Sequence, residues 1–308
     1  MMSAITPSIR IRPADRGDLP ALHRLATAAL THDTFSADLL DEKLFLNPCP
    51  QRYTYHTLIA ETATQPVGLM QWVVRPQDGR GWLGLFVVSA TARRKGIATA
   101  LWQRVRDKLR QAGVGAVEVL AIPGNYLTPG LDPRYTEALC FCQRCGFERF
   151  GDCVNLSVDL DRRLDTDDDQ ARLVAAGITV RRATAADSAR LDAFFGADFG
   201  LDWCTEAGLA LHHDPPALHL AIQSGRIIAF SAHSSQNREW GFFGPMGTTP
   251  AARGKGIGRV LLRRCLNDLR DLGHRSAVIP WVGPISFYAE HVAGCVARVF
   301  WRYRLELT

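Results

Sequence analysis

Two short segments of the 308-residue chain carry the same arrangement of basic residues and glycines. The segment from Arg253 to Gly258 reads RGKGIG, and the segment from Arg93 to Ala98 reads RRKGIA. Each follows an apolar run and opens a stretch with helical periodicity. Glycines let a backbone approach a ligand closely, and the N–H groups and dipole of a helix start attract anions. Both segments, which we call the cradle loops, are therefore predicted to bind a pyrophosphate group.

The elements that would position the cradle loops also occur twice. Ile9 to Leu30 and Ile178 to Phe199 each read as an alternating strand, an N-cap aspartate (Asp18 or Asp187) and an amphipathic helix. Two strands joined by a polar turn follow in each copy, then the cradle strand and helix, an apolar strand, another helix and a closing strand pair. This β-α-β-β-β-α-β-α-β order predicts an α/β fold of the α+β kind, with a mixed sheet in each half.

The repeat sets the predicted boundaries: an N-terminal domain (residues 1–160), a linker with a short terminal helix (161–177) and a C-terminal domain (178–308). The first copy also carries a Pro/Gly-rich insertion, Pro123 to Glu137. Long loops are often functional, and hydrogen-bonding groups on loops commonly give specificity. We expect this insertion to shape a pocket through its polar and aromatic residues Asn125, Tyr126, Asp132, Arg134 and Tyr135. The alternatives are a solvated excursion and a lid over an idle site in the first half.

Composition limits the classes of partner. The chain has 36 basic and 31 acidic residues, a net charge of +5, and 47% hydrophobic residues. The basic residues are scattered, so a nucleic-acid groove is not required, whereas a polyphosphate cofactor suits this charge. No apolar run approaches the roughly 20 residues that span a bilayer, and the chain start lacks a signal-peptide core. We expect a cytoplasmic protein without nucleic-acid or membrane partners, and its oligomeric state is open.

Cysteines and histidines give little support for a metal site. Cys140, Cys142 and Cys145 lie close together, but this spacing on a helix directs the side chains apart. His212 and His213 are adjacent and offer no shared metal-binding face. Reduced, partly buried thiols and no bound metal are the prediction.

The cradle loops resemble the acetyl-CoA pyrophosphate loop of the GNAT superfamily of N-acetyltransferases. Neither the Gly-x-Gly-x-x-Gly spacing of a Rossmann fold nor the Gly-Lys-Ser/Thr end of a Walker loop is present. Ala90 stands where the wider family pattern has proline, and Thr248 where it has valine, but neither change removes a backbone donor. The pattern Val-x-Pro-x-x-Arg-x-x-Gly-x-Gly corresponds to Val88, Ala90, Arg93, Gly96 and Ala98 in one copy and to Thr248, Pro250, Arg253, Gly256 and Gly258 in the other.

The resemblance implies two acetyl-CoA sites and an amine acceptor. In the family the thioester lies against the parted ends of two central strands, where one backbone N–H contacts its carbonyl. A preorganised donor there contributes a few kcal/mol. The implied cofactor-binding residues are Phe86, Val87, Val88, Arg93, Arg94, Lys95, Gly96, Ile97 and Ala98 in the first half, and Met246, Gly247, Thr248, Arg253, Gly254, Lys255, Gly256, Ile257 and Gly258 in the second.

The two halves differ in the residue that could donate a proton to the leaving thiolate. Family members commonly carry a tyrosine that protonates the leaving thiolate, and Tyr288 in PISFYAEH occupies that place. The matching residue of the first half is Cys142, whose thiol cannot be assumed to do the same work. The resemblance therefore favours the second half as the catalyst, with a first half that is degenerate or binds CoA without turnover.

A general base is harder to assign. Glu239 precedes the second cradle strand, as the base does in some family members, and His233 ends the neighbouring strand. Each can also be a solvated residue at a strand end. Trp281 replaces an asparagine that often contacts the cofactor, and either walls the substrate pocket or packs in the core.

Three functions remain open from the sequence. The first is an N-acetyltransferase that acts on a primary amine. The second resembles mycothiol synthase, which also pairs two GNAT halves and acetylates an amino-sugar thiol precursor. The third is an acyl-CoA sensor that binds without reacting.

Overall fold

The computed structural model describes residues 9–307 of the chain. The chain divides into two compact units, of which the first reaches Asp152 and includes the C-terminal segment from Phe300, and the second is Cys153–Val299. The predicted absence of a signal peptide concerns the chain start, of which residues 1–8 lie outside the described range. Both units combine helices with sheet, which confirms the predicted fold class.

The first unit contains the elements of the first repeat in the expected order. The cradle helix α3 buries Leu101, Val105 and Leu109 against strands of the sheet, since residues four apart share one helical face. The elements are β1 (Arg10–Pro13), α1 (Leu19–Ala29), α2 (Ala37–Phe45), β2 (Thr54–Glu61), β3 (Pro66–Arg75), β4 (Arg80–Val88), α3 (Ile97–Gln111), β5 (Ala116–Val119), α4 (Thr136–Arg144) and the start of β6 (Glu148–Asp159).

The second unit repeats this order. Its cradle helix α8 is apolar along one face, where Leu262, Leu266 and Leu269 join a buried cluster. Its elements are α5 (Asp167–Ala175), β7 (Ile178–Arg182), α6 (Ser188–Asp198), α7 (Leu201–Leu211), β8 (Leu218–Gln223), β9 (Arg226–His233), β10 (Phe243–Thr248), α8 (Ile257–Asp271), β11 (Ser276–Ile279), α9 (Ile285–Val292) and the start of β12 (Cys295–Glu306).

Each sheet is completed by the closing strand of the other repeat. In the first unit the order is β1-β2-β3-β4-β5, and the end of β12 pairs with β5 from Arg304 to Glu306. In the second unit β7-β8-β9-β10 form one sheet, and β11 pairs with β6 from Leu156 to Asp159. A separately expressed half would therefore lose a strand of its sheet, so experiments require the full chain.

Two features differ from the sequence-based expectation, whereas the short helix expected at the end of the linker is present. Each repeat has a second helix before its strand pair, α2 and α7, and each ends in one long strand instead of a strand pair. Ser36 accepts a hydrogen bond from Leu39 N–H at the start of α2. That N-cap serine before an apolar run was a readable signal for a helix. The predicted linker contains α5, whose Leu173 packs in a buried cluster of the second unit.

Asp18 and Asp187 occupy the N-cap positions of α1 and α6, as predicted, but their carboxylates serve another purpose. The Asp187 carboxylate is buried and accepts two hydrogen bonds of 2.7 Å from Arg181 and one of 2.9 Å from Thr184 N–H. Asp18 binds Arg12 in the same way, at 2.7 and 2.8 Å. The duplicated ion pair thus fixes the first strand of each repeat to the turn before its helix.

Among residues 9–307, no helix is long and apolar enough to cross a membrane. Within the same range, no group of three or more histidine, cysteine or acidic side chains is arranged to hold a metal ion. The eight cysteines are free thiols, and of the three clustered ones Cys142 is buried, Cys145 is half-buried and Cys140 is exposed.

We predict that Asp187→Ala lowers the free energy of unfolding by about 2 kcal/mol, because the charge-assisted hydrogen bonds between β7 and the turn before α6 are lost. Hydrogen bonds from Arg181 hold the pKa of Asp187 well below its usual value. A depressed pKa in the folded state stabilises the protein above the unfolded pKa of about 3.9, and this contribution is lost as the pH falls below it. Urea denaturation should show the deficit at pH 7 and a smaller one near pH 3.

Asp18→Ala is the matched control. Its hydrogen bonds to arginine have similar lengths, but the Asp18 carboxylate is more exposed than that of Asp187, so the deficit should be smaller. Equal deficits at both sites, or a deficit independent of pH, would contradict the importance of burial.

Candidate active site

The second cradle loop has the backbone conformation of an anion site. Gly254 and Gly256 have φ values of +76° and +79°, in the left-handed region that favours glycine. Gly256 is the N-cap of α8 and has no side chain to cap the helix. The first-turn N–H groups of α8, which have no partner within the helix, are thereby left for a ligand.

The first cradle loop has the same conformation. Gly96, with φ +77°, is the N-cap of α3, and Arg94 adopts φ +62° where the second loop has Gly254. The leading arginines have equivalent contacts: Arg93 Nε donates to the Val88 carbonyl at 3.2 Å, and Arg253 Nε donates to the Thr248 carbonyl at 3.3 Å. Each arginine thus braces the end of the strand that precedes its loop.

The glycines of the cradle loops differ in what they contact. A Cβ placed on Gly96, Gly254 or Gly256 would meet no heavy atom of the described residues within 4 Å. The loops therefore face open space, which fits a bulky polyanion. On Gly258, in contrast, a Cβ would lie 3.3 Å from the Phe287 ring, so this glycine allows α9 to pack on the start of α8.

The two central strands of the second unit part beside the cradle loop. β10 and β11 meet in one parallel bridge, Phe242 with Val278. Beyond it β10 pairs with β9 and is the edge of its four-stranded sheet, while β11 pairs with β6. Within residues 9–307, the edge of β10 at Met246, Gly247 and Thr248 therefore has no strand partner on one side. In the first unit β4 and β5 pair from Arg80 to Leu83 before they part.

Tyr288 lies in the second unit, in a buried cluster with residues of β10, β11 and the cradle helix α8. Its ring makes edge-on contacts with Phe243 of β10 at 6.2 Å and with Phe287 at 5.1 Å. The residue is only 7% exposed, and burial raises the pKa of its phenol to about 12. Tyr288 is therefore neutral at physiological pH and can donate a hydrogen bond.

Cys142 has a different environment in the first unit. The side chain is fully buried in the apolar core, beside Phe141 and Phe147. Burial raises the pKa of its thiol well above the usual value. A buried, protonated thiol is a weak hydrogen-bond donor, so the first unit has no counterpart of the Tyr288 phenol at this position.

The base candidates occupy contrasting sites. Glu239 lies in a 3₁₀ turn, Arg238–Trp240, at an exposed position before β10. His233 is buried, with Nε2 3.3 Å from Asp268 Oδ2 and Nδ1 3.0 Å from Ser234 Oγ. The expectation of a solvated His233 is therefore wrong, because the β9 strand directs the ring towards α8.

The sequence of each half matches the model of the acetyltransferase (GNAT) family, over residues 20–126 and 185–292. The chain belongs to the GNAT family. The two matched segments together cover more than half of the chain, and the tandem arrangement predicted from the cradle loops is confirmed.

Solved structures of GCN5-related N-acetyltransferases and of a tandem GNAT protein superpose on nearly the whole chain. A glucosamine N-acetyltransferase region of a fungal GH3 β-N-acetylglucosaminidase gives a TM-score of 0.82 at 19% identity, covering 98% of this chain and 39% of that one. A GCN5-related N-acetyltransferase from Sphaerobacter thermophilus gives 0.72 at 18% identity, covering 97% and 96%. A tandem GNAT protein from the clavulanic acid pathway gives 0.71 at 14% identity, covering 98% and 99%. At these identities the likeness shows the fold alone, and comparison with curated proteins gives no match.

The insertion of the first GNAT repeat is packed, not solvated. Asn125 is buried, donates to the carbonyls of Glu42 and Leu46 at 2.9 and 3.0 Å, and accepts from Lys43 Nζ at 2.9 Å. Tyr135 donates to Asp33 at 2.6 Å. These contacts hold the loop against α2 and the segment before it, so the idea of a solvated excursion is wrong. The polar groups of Asn125 are used within the protein.

Trp281 adopts φ +48° at the end of β11 and is 38% exposed, which excludes the core-packing interpretation. Asn155 accepts a hydrogen bond from its N–H at 3.0 Å. Sequence reasoning missed a further aromatic residue: the Phe199 ring lies directly against Gly247 of β10. The dense aromatic spacing of AFFGADFGLDW was the available signal.

We predict that Gly256→Val weakens CoA binding by about 2 kcal/mol, because a side chain blocks backbone hydrogen bonds to the pyrophosphate. Gly96→Val should have the same effect on a site in the first half. Titration calorimetry on each variant counts the sites and assigns them.

Gly273→Val is the matched control for backbone strain. Gly273 follows the other end of α8, has φ +94°, and also faces open space. It should destabilise the helix end without changing CoA affinity. Unchanged affinity in both cradle variants would contradict the cradle assignment.

Proposed function

We propose that the chain transfers an acetyl group from acetyl-CoA to a primary amine, and that the second half is the catalyst. The observation that supports this choice is the buried, neutral phenol of Tyr288 beside the parted strands, where the first half has Cys142. The proposed reaction is consistent with membership of the GNAT family.

In this proposal the second cradle loop and the first turn of α8 bind the pyrophosphate of the donor. The backbone of Met246, Gly247 and Thr248 then binds the thioester, with one N–H on its carbonyl oxygen. A fixed donor is worth more on the oxyanion that develops as the amine attacks than on the neutral carbonyl. Alignment of amine and thioester accounts for much of the remaining rate.

Tyr288 acts as a hydrogen-bond donor to the departing sulfur. A phenol with a pKa of about 12 is a weaker acid than a thiol, whose pKa is about 8.5, so full proton transfer to a free thiolate is uphill. The hydrogen bond still stabilises negative charge as it develops on sulfur. The amine loses one proton and the thiol gains one, which balances the reaction. Glu239 remains our proposed base, and water can connect its exposed carboxylate to the amine.

The first half is proposed to bind CoA without turnover. Its cradle loop keeps the conformation of the second one, which supports binding. In this proposal the space for an acceptor in the first half is filled by the chain itself, because the insertion packs on α2. Gln71 on β3 also lies there: its amide donates to the Lys43 carbonyl at 2.5 Å and accepts from the Leu85 N–H at 3.2 Å. A first half that only binds needs neither an acceptor pocket nor a proton donor.

The proposal also covers the class of acceptor amine and the cellular compartment of the protein. The fungal neighbour is described as a glucosamine N-acetyltransferase region, which supports an amine acceptor in this architecture. We propose acetyl-CoA and a small-molecule or peptide amine as partners, in the cytoplasm, without a metal ion.

We predict that Tyr288→Phe lowers kcat by about 10- to 100-fold and leaves the KM for acetyl-CoA nearly unchanged, because the hydroxyl acts only when charge develops on sulfur. Steady-state release of free CoA thiol in the presence of a suitable amine measures both constants.

Tyr303→Phe is the control. Tyr303 is buried in the first unit, where its hydroxyl accepts a hydrogen bond from Gln143 at 3.4 Å. Its removal should leave kcat unchanged. A Tyr288→Phe enzyme with wild-type kcat would assign the phenol a packing role only.

A further inference from the structure

An aromatic cluster in the second unit ends in an exposed tryptophan. Phe199 stacks on Trp203, with ring centroids 5.5 Å apart and planes at 15°, and both rings contact Phe230 of β9 edge-on. Trp203 remains 37% exposed although Phe199 stacks on it. An indole held by stacking and still open to a ligand costs little conformational entropy to use in binding.

The cluster extends to the strand where the proposed reaction occurs. A Cβ on Gly247 would lie 2.4 Å from the Phe199 ring, so this ring covers the β10 backbone and no side chain fits beneath it. Met246, the preceding residue, contacts Gly258 on α8, so Gly247 presents the opposite side of the strand. The Phe199 ring, which touches the β10 backbone, also stacks on the indole, so Trp203 is separated from this strand by one ring.

The chain segment that carries Phe199 and Trp203 is acidic, unlike the whole chain, although Arg190 and Arg226 flank it. Residues 191–225 contain five acidic residues and no lysine or arginine, although the chain has a net charge of +5. Asp202 and Glu206 lie on α7 with Trp203 and are partly exposed. The corresponding stretch of the first half includes Arg24, Lys43 and Arg52. This segment of the second half therefore favours cations more than the corresponding segment of the first half does.

We propose that Trp203 determines acceptor specificity by binding a second, cationic ammonium group of the amine substrate, away from the reacting nitrogen. This inference rests on the proposed acetyl transfer in the second half.

Two physical requirements are met by this arrangement. The reacting amine must be neutral, whereas a second alkylammonium group, with an ordinary pKa near 10.4, stays charged at pH 7.5. Indole is the aromatic ring that attracts a cation most strongly, and neighbouring carboxylates add to the attraction. A single-charge amine would gain nothing from Trp203 once its reacting nitrogen had lost its proton.

The test uses two primary amines of the same length and shape. One ends in a trimethylammonium group and the other in the neutral tert-butyl group of the same shape. Acetylation of each by the full chain is measured as kcat/KM, with wild type, Trp203→Ala and Trp203→Phe. Phe150→Ala, which removes an exposed aromatic ring in the first unit, is the control.

Wild type should prefer the cationic amine by about tenfold, an amount typical of a partly desolvated cation–π contact. Trp203→Ala should abolish the preference, Trp203→Phe should retain part of it, and Phe150→Ala should keep it whole. Equal use of both amines by wild type, or a preference that survives Trp203→Ala, would overturn the inference. Absence of acetyl transfer to every amine would contradict the proposed function itself, and the inference would fall with it.

Discussion

The backbone N–H groups at the start of α8 are the feature on which the candidate site depends. They are available because Gly256 ends the loop in a left-handed conformation and offers no side-chain cap. Arg253 holds the preceding strand end through the Thr248 carbonyl, so loop, strand and helix keep one geometry. An anion bound there fixes the position of everything attached to it, including a thioester along β10. The edge of β10 serves that purpose only because β11 leaves it after one bridge.

The two GNAT repeats show how one backbone supports different chemistry. Their cradle loops agree in conformation, and their first strands are held by equivalent Arg–Asp pairs. They differ elsewhere: the first repeat packs its insertion and Gln71 against α2, and the second has an aromatic cluster against Gly247.

Sequence alone predicted the fold because the strongest signals were local and repeated. The Arg-x-x-Gly spacing after an apolar strand fixed both strand–loop–helix units, and the aspartates before α1 and α6 marked true helix starts. It could not show that these carboxylates bind arginines, because that contact depends on the strand that packs beside the turn. The sequence also could not show that β6 pairs with β11 and β12 with β5, each in the sheet of the other repeat. Alternation of apolar residues indicates a strand but does not specify the strand that pairs with it. Phe199 was missed because its ring packs where Gly247 has no side chain, and the two residues lie 48 positions apart in the sequence.

The most direct test of acetyl transfer uses the full chain, acetyl-CoA with a deuterated acetyl group, and a panel of primary amines that includes amino sugars, diamines and peptides. Mass spectrometry follows the label, and thiol release is measured in parallel. We predict that the label appears as an amide on at least one amine, with one free thiol formed for each label transferred. Tight binding of acetyl-CoA without transfer of label to any amine would contradict the account and identify the chain as a binding protein.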